Sequence, residues 1–304
     1  MTLDYLSRLF ALMLAIFFIV HCICGMFVFG VTRAAIRLAQ SFQPRTTARL
    51  LLTIRFLPIG FAVLLTIGVC VPNYVRYEPK ALSEPVGVLC LACSSLCVFT
   101  CLASAVRAIR ALRSTAAYLD RRKAAVSPYV AGIFVSRIIV AQEVADVLSS
   151  DELSVAIAHE RAHAAARDNL KRLLLLLTPG IAPFFRGYDR LEKAWARFAE
   201  WAADDAAVLG HPARALSLAE ALVRLSRGNL ASHAPGMTTS LFGDGSDLSA
   251  RVERLLNVPC VQREPKFSLA TPISAVLLLT CGVAILARAP SLLIVHTVLE
   301  HLVR

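Results

Sequence analysis

Along the first third of the chain, long uncharged apolar runs alternate with short basic stretches, and this pattern sets the fold class. Leu9 to Gly30 carries no charge, and His21 is its one strongly polar side chain. Leu50 to Val71 is apolar apart from Arg55 near one end, and Val86 to Val106 is again uncharged. Ser268 to Ala287 repeats the pattern, with Pro272 near its start and Arg288 closing it. At about 1.5 Å per residue, each run is long enough to cross a ~30 Å hydrocarbon layer as one helix. A single such run could be a buried core helix; four of them predict a polytopic membrane protein that is mainly α, with spans at about 9–30, 50–71, 86–106 and 268–287. The first run is too long for a signal-peptide core and no small-x-small cleavage site follows it, so it is expected to stay as an anchor. The tail from Pro290 is interrupted by His296, Glu300 and His301 and reads either as an interfacial segment or as half of a tilted hairpin.

The connections give the orientation. Arg33, Arg37, Arg45 and Arg49 flank the first turn, and Arg107, Arg110, Arg113, Arg121, Arg122 and Lys123 follow the third run, while the middle connection balances Arg76 and Lys80 against Glu78 and Glu84. An excess of Lys and Arg marks the cytoplasmic side, so the amino terminus is expected outside and the large polar segment inside. The expected organisation is a membrane part at 1–107, a cytoplasmic polar domain at 108–267, and a fourth span with a short tail at 268–304.

Within the polar segment the periodicity changes. Val126 to Val140 alternates and contains Pro128 and Gly132, which predicts a small β hairpin or edge strand, a place where a peptide could add itself as a further strand. Ser149 and Glu152, three apart, form a capping-box pattern at the start of a helix expected to run through His159 and His163 to about Leu177. The apolar stretch Leu173 to Phe185 is short and broken by Pro179, Gly180 and Pro183, so it is expected to be buried or dipped into the membrane surface. Further helices are expected at about Asp189 to Leu209, Pro212 to Gly228 and Arg251 to Leu256, with a loop at 229–246.

The candidate chemistry sits on the first two of these helices. His159-Glu160-Arg161-Ala162-His163 fits H-E-x-x-H: imidazoles four apart stand one turn above each other and can share one ion, with Glu160 beside them as a base. A third ligand must come from another element. Glu200 is the candidate, and Asp204, one turn on, is placed to accept the other N–H of a ligating histidine, although both acids could be solvated helix surface and Asp205 is a rival ligand. Asp168 could bond His163 or the loop before Glu200, or pair with Arg172. Tyr188, His211, His233, Arg251 and Arg254 are candidate donors to an oxyanion, none with a spacing signature. His21 reads as a packed or interhelical polar residue.

Composition agrees and narrows the classes. The 304 residues are 57% hydrophobic and 17% charged, with a mean hydropathy of +0.64, too apolar for an ordinary water-soluble domain. The net charge of +11 lies largely beside the spans, where anionic lipid accounts for it, and no basic and aromatic interleaving suggests nucleic acid. Of nine cysteines, Cys22, Cys24, Cys70, Cys90, Cys93, Cys97, Cys101 and Cys281 lie in or beside apolar runs and read as packing residues; Cys260 stands apart, and no disulfide framework is implied.

The chain resembles the integral-membrane zinc peptidases of the BlaR/MecR type, the antirepressor peptidases, and their relatives of the HtpX/Ste24 class. The resemblance rests on the amino-terminal helices, the stretch Ile133 to Val140, the run Leu148 to Leu153 leading into HERAH, Arg167-Asp168-Asn169-Leu170, the pair Glu200 and Asp204, and the helix Arg251 to Leu256. It implies a gluzincin-like domain in which one Zn(2+) per chain is held by His159, His163 and Glu200, with Glu160 as catalytic base and Asp204 and Asp168 supporting the ligands. It implies a protein or peptide substrate, such as a cytoplasmic repressor, and leaves room for a separate regulatory subunit. Two departures are visible: Ala166 stands where the family often has a basic residue, and little follows Ser268, so the extracellular penicillin-binding sensor of the antibiotic-responsive members is not expected. The competing class is a catalytically silent membrane signalling or scaffold protein of the same fold.

Overall fold

The structure, a computed structural model, describes residues 3–77, 86–120, 129–131, 137–140, 142–182, 185–227, 239–240 and 248–257. Three helical rods long and apolar enough to cross a membrane stand among them, covering Tyr5–Ala39, Pro44–Arg76 and Val88–Ala117. The expected span at 268–287 and the tail lie outside the described residues. The rods outrun the apolar runs because their polar ends remain helical. Helix α1 is Leu3–Ala39, α2 is Pro44–Leu65, and α4 is Val88–Asp120; a π-helical turn, Thr66–Cys70, joins α2 to the short α3, Val71–Tyr77. Pro44 occupies the first turn of α2, where its missing N–H costs nothing, and Thr47 donates to the carbonyl of Ala39 at 2.6 Å, closing the turn between α1 and α2.

The polar segment folds as short helices beside a small sheet. Strands β1 (Tyr129–Ala131), β2 (Arg137–Ile139) and β3 (Thr239–Ser240) are antiparallel in the order β2-β1-β3. Helices α5 (Gln142–Val147), α6 (Ser150–Ala166), α7 (Asp168–Leu177), α8 (Asp189–Val208), α9 (Pro212–Arg227) and α10 (Leu248–Leu256) complete the described residues. One apolar core joins α5, α6, α8, α9 and α10 through Val144, Val155, Ala156, Ala207, Leu218, Leu222 and Leu255. A second joins the membrane helices to α7 and α8: Val28, Ala48 and Leu51 pack with Leu175, Tyr188, Leu191, Trp195 and Phe198. The polar segment is therefore seated directly on α1 and α2 rather than hung from them by a linker.

Two helix ends decide the layout of the site. The capping box at α6 is formed: Ser149 Oγ accepts from the Glu152 amide at 3.3 Å, and Glu152 Oε2 accepts from the Ser149 amide at 2.7 Å. The uninterrupted helix expected to Leu177 is not found. Arg167 takes the left-handed conformation (φ 55°, ψ 43°), ends α6 and starts α7 in a new direction. No glycine or proline announces this break. Its consequence is geometric: five residues along a continuous helix, Asp168 would sit about 140° away from His163, whereas the kink brings it back to that histidine.

Candidate metal centre

His159 and His163 lie on the buried face of α6, and α8 carries Glu200 against them. Their Nε2 atoms are 3.1 Å apart, and Glu200 Oε2 is 3.5 Å from the first and 3.6 Å from the second. A tetrahedral ion with bonds of about 2.0–2.1 Å has ligand atoms about 3.3 Å apart; the triangle has that size. The three residues are the one group among the described residues whose ligand atoms converge in this way, and all three are buried.

The chemistry of the donors fits a cation. His159 Nδ1 stands 2.9 Å from Asp204 Oδ1, and His163 Nδ1 stands 2.7 Å from Asp168 Oδ2. A ring nitrogen facing a carboxylate keeps its proton there, so each Nε2 offers a lone pair to the centre. Two lone pairs and a carboxylate oxygen then face one another, an arrangement that a proton or a metal ion relieves. Without metal, the protons do it. Burial works against charging His163, but Glu200 and Asp168 outweigh it and push its pKa up to about 10. His159 is raised in the same way, against its burial, by Asp204 and Glu200, and Glu200 is held well below the usual carboxylate range, against its burial, by the imidazoles and Arg251.

Glu160 is fully buried, and neither of its carboxylate oxygens meets a hydrogen-bond donor among the described residues. Burial, with Glu200 adding to it, pushes its pKa up to about 7 although both histidines pull it down. A carboxyl group balanced near neutrality beside a metal site can take up and return a proton at working pH.

The surrounding ion pairs separate the remaining candidates. Arg251, from α10, grips Asp204 with two bonds, Nε to Oδ2 at 2.9 Å and Nη2 to Oδ1 at 2.6 Å, and its Nη1 lies 3.3 Å from Glu200 Oε2. Burial alone would raise Asp204, yet Arg251 and His159 hold it at about 2. Arg251, one of five candidate oxyanion donors, is thus committed to the carboxylates. Arg254 pairs with Asp205 at 2.7 Å, which removes Asp205 as a rival ligand. Tyr188 is buried against α1 and α2, and His211 stands in the turn between α8 and α9, bonded through its backbone to Val208, so neither joins the cluster. His233 lies outside the described residues. Asp168 takes Lys171 at 2.7 Å as its cation, not Arg172, whose Nη2 stands 3.7 Å from Glu200 Oε1. Sequence spacing had no means of finding that last contact, because it joins two helices.

Residues 92–255, more than half of the chain, match the family described as BlaR1 peptidase M56. The chain belongs to that family. Comparisons with curated proteins and with solved structures gave no match. As an M56 peptidase with a buried His-His-Glu cluster and several membrane-spanning helices, it is an integral-membrane metalloprotease. The matched stretch begins within α4 and ends in α10, so the M56 match takes in all three residues of the cluster and Arg251.

Proposed function

We propose that this chain is a zinc endopeptidase that works from the cytoplasmic face of the inner membrane, with one Zn(2+) held by His159, His163 and Glu200. The observation that carries the reading is the triangle of ligand atoms with 3.1, 3.5 and 3.6 Å edges, each imidazole backed by its own carboxylate. Zinc bound there would supply Lewis-acid polarisation of the scissile carbonyl and acidify a water molecule. Glu160 acts as general base, taking the proton of the attacking water on one carboxylate oxygen and passing it to the leaving amine nitrogen. Asp204 and Asp168 hold the two imidazoles in the tautomer that presents Nε2, and Arg251 holds Asp204.

The cytoplasmic placement is supported by the arginines beside the turn from α1 to α2 and at the end of α4. The substrate is a cytoplasmic regulator such as a repressor, or a membrane protein. The organisation into a membrane part at 1–107, a peptidase domain at 108–267 and a carboxy-terminal span belongs to the same proposal. The test is zinc content and proteolysis of a denatured membrane protein by the full chain purified in detergent. About one zinc per chain, with cleavage lost in Glu160→Gln and zinc retained, is the expected result; cleavage that survives Glu160→Gln removes the proposed base.

A further inference from the structure

The segment between α7 and α8 is clipped onto the first membrane helix at three successive points. His21 Nε2 donates to the carbonyl of Gly180 at 3.0 Å, Cys22 Sγ donates to the carbonyl of Ile181 at 2.8 Å, and Gly25 lies directly under Tyr188. A Cβ on Gly25 would stand 2.6 Å from the Tyr188 hydroxyl and 3.1 Å from Ile181, so only glycine admits this approach. From the other side Arg55 of α2 stacks over the Tyr188 ring at 3.9 Å and bonds Glu192 at 2.9 Å. His21, Cys22 and Gly25 all lie inside the uncharged run of the first span, so the joint is made within the apolar part of α1.

The two helices that leave this joint lead to the metal cluster. Tyr188 is the residue on which α8 begins, and Glu200 follows twelve residues later on the same unbroken helix, about 18 Å along its axis. Gly180 follows the end of α7, whose first residue, Asp168, bonds His163. A packed interior transmits a shift at one end of a short helix to the other, and a metal site tolerates only a few tenths of an ångström in its ligand distances.

We infer that His21 and Gly25 of the first membrane helix are positioning residues for the metal centre, setting the placement of α8 and with it Glu200 against His159 and His163. This rests on the proposed zinc ligands. It makes the first span part of the peptidase rather than a tether for it.

The hydroxyl that Gly25 accommodates has no hydrogen-bond partner among the described residues, so Tyr188→Phe removes the obstacle at little cost. That permits a rescue test in the full chain in detergent, reading zinc affinity by chelator competition alongside thermal unfolding and cleavage. Gly25→Ala is expected to weaken zinc binding at least tenfold, and Gly25→Ala with Tyr188→Phe to recover most of it. Gly30→Ala and Gly60→Ala, where an added Cβ meets nothing within 4 Å, are the controls and should bind as the wild type does. His21→Leu, which removes the donor to Gly180 without adding bulk at Gly25, is the independent arm and should also weaken zinc binding. Wild-type affinity in both Gly25→Ala and His21→Leu overturns the inference, as does a loss in Gly25→Ala that Tyr188→Phe leaves untouched. A wild-type chain that takes up no zinc at all would instead strike the proposed function beneath it.

Discussion

Asp204→Asn changes one atom of a fully buried side chain and should separate support of the metal site from mere surface charge. Asp204 accepts two bonds from Arg251 and faces His159 Nδ1 at 2.9 Å, with Asp204 and Arg251 almost wholly enclosed. Asparagine keeps the shape but offers one oxygen, so its amide group must point at a guanidinium or imidazole N–H. Breaking a buried pair from one side costs about 3–5 kcal/mol, because the surviving charge is stranded. Here Glu200 remains 3.3 Å from Arg251, which favours the lower end, about 3 kcal/mol. Loss of the carboxylate behind a ligating imidazole typically weakens metal binding about 10- to 100-fold. The assay is competition of purified protein with a zinc-chelating dye, with Asp205→Asn as control. Asp205 pairs with Arg254 at a more open position, side chains 28% and 20% exposed, and should cost less than about 1 kcal/mol with no effect on zinc. Wild-type zinc affinity in Asp204→Asn together with loss in Asp205→Asn would refute the assignment of the two acids.

Three further outcomes are expected. In the metal-free protein the pKa of His163 is raised to about 10, so the stability this proton contributes is complete below pH ~6.5 and disappears as pH rises toward ~10. Zinc must displace that proton, so titration calorimetry in buffers of different ionisation enthalpy should detect proton release and an affinity that rises with pH between those values; zinc uptake without proton release contradicts it. Arg167 sits at φ 55°, so Arg167→Gly should change stability little while the β-branched Arg167→Val costs about 1–2 kcal/mol in a denaturant titration; equal stability of the two would count against a forced left-handed turn. Ser149→Ala removes one half of the capping box and should lower stability by about 1 kcal/mol with zinc affinity unchanged, and a matching loss of zinc would mean that the cap does more than start α6.

What could be read in the sequence was what depends on spacing along one element. His159 and His163 share a helix face because they are four apart, and Glu200 and Asp204 repeat the same spacing, so both pairs were visible before any fold. The Ser149 and Glu152 cap and the stops near Pro212 are local chemistry and were equally legible. The left-handed turn at Arg167 was not, since arginine has no preference for that conformation; the bond between Asp168 and His163 holds it there. Arg251 was one of five interchangeable donors until the packing of α10 brought it to Asp204, 47 positions away. The reception of Tyr188 by Gly25 was likewise hidden, because a glycine in an apolar helix announces close packing without saying which segment packs.

X-ray absorption at the zinc edge on the full purified chain examines the ligand set directly. The expected spectrum has two imidazole nitrogens at about 2.0–2.1 Å and carboxylate or water oxygen at about 2.0–2.2 Å, with no sulfur, and is lost in Glu200→Ala. A sulfur shell near 2.3 Å, or a wild-type spectrum and zinc content in Glu200→Ala, would contradict it.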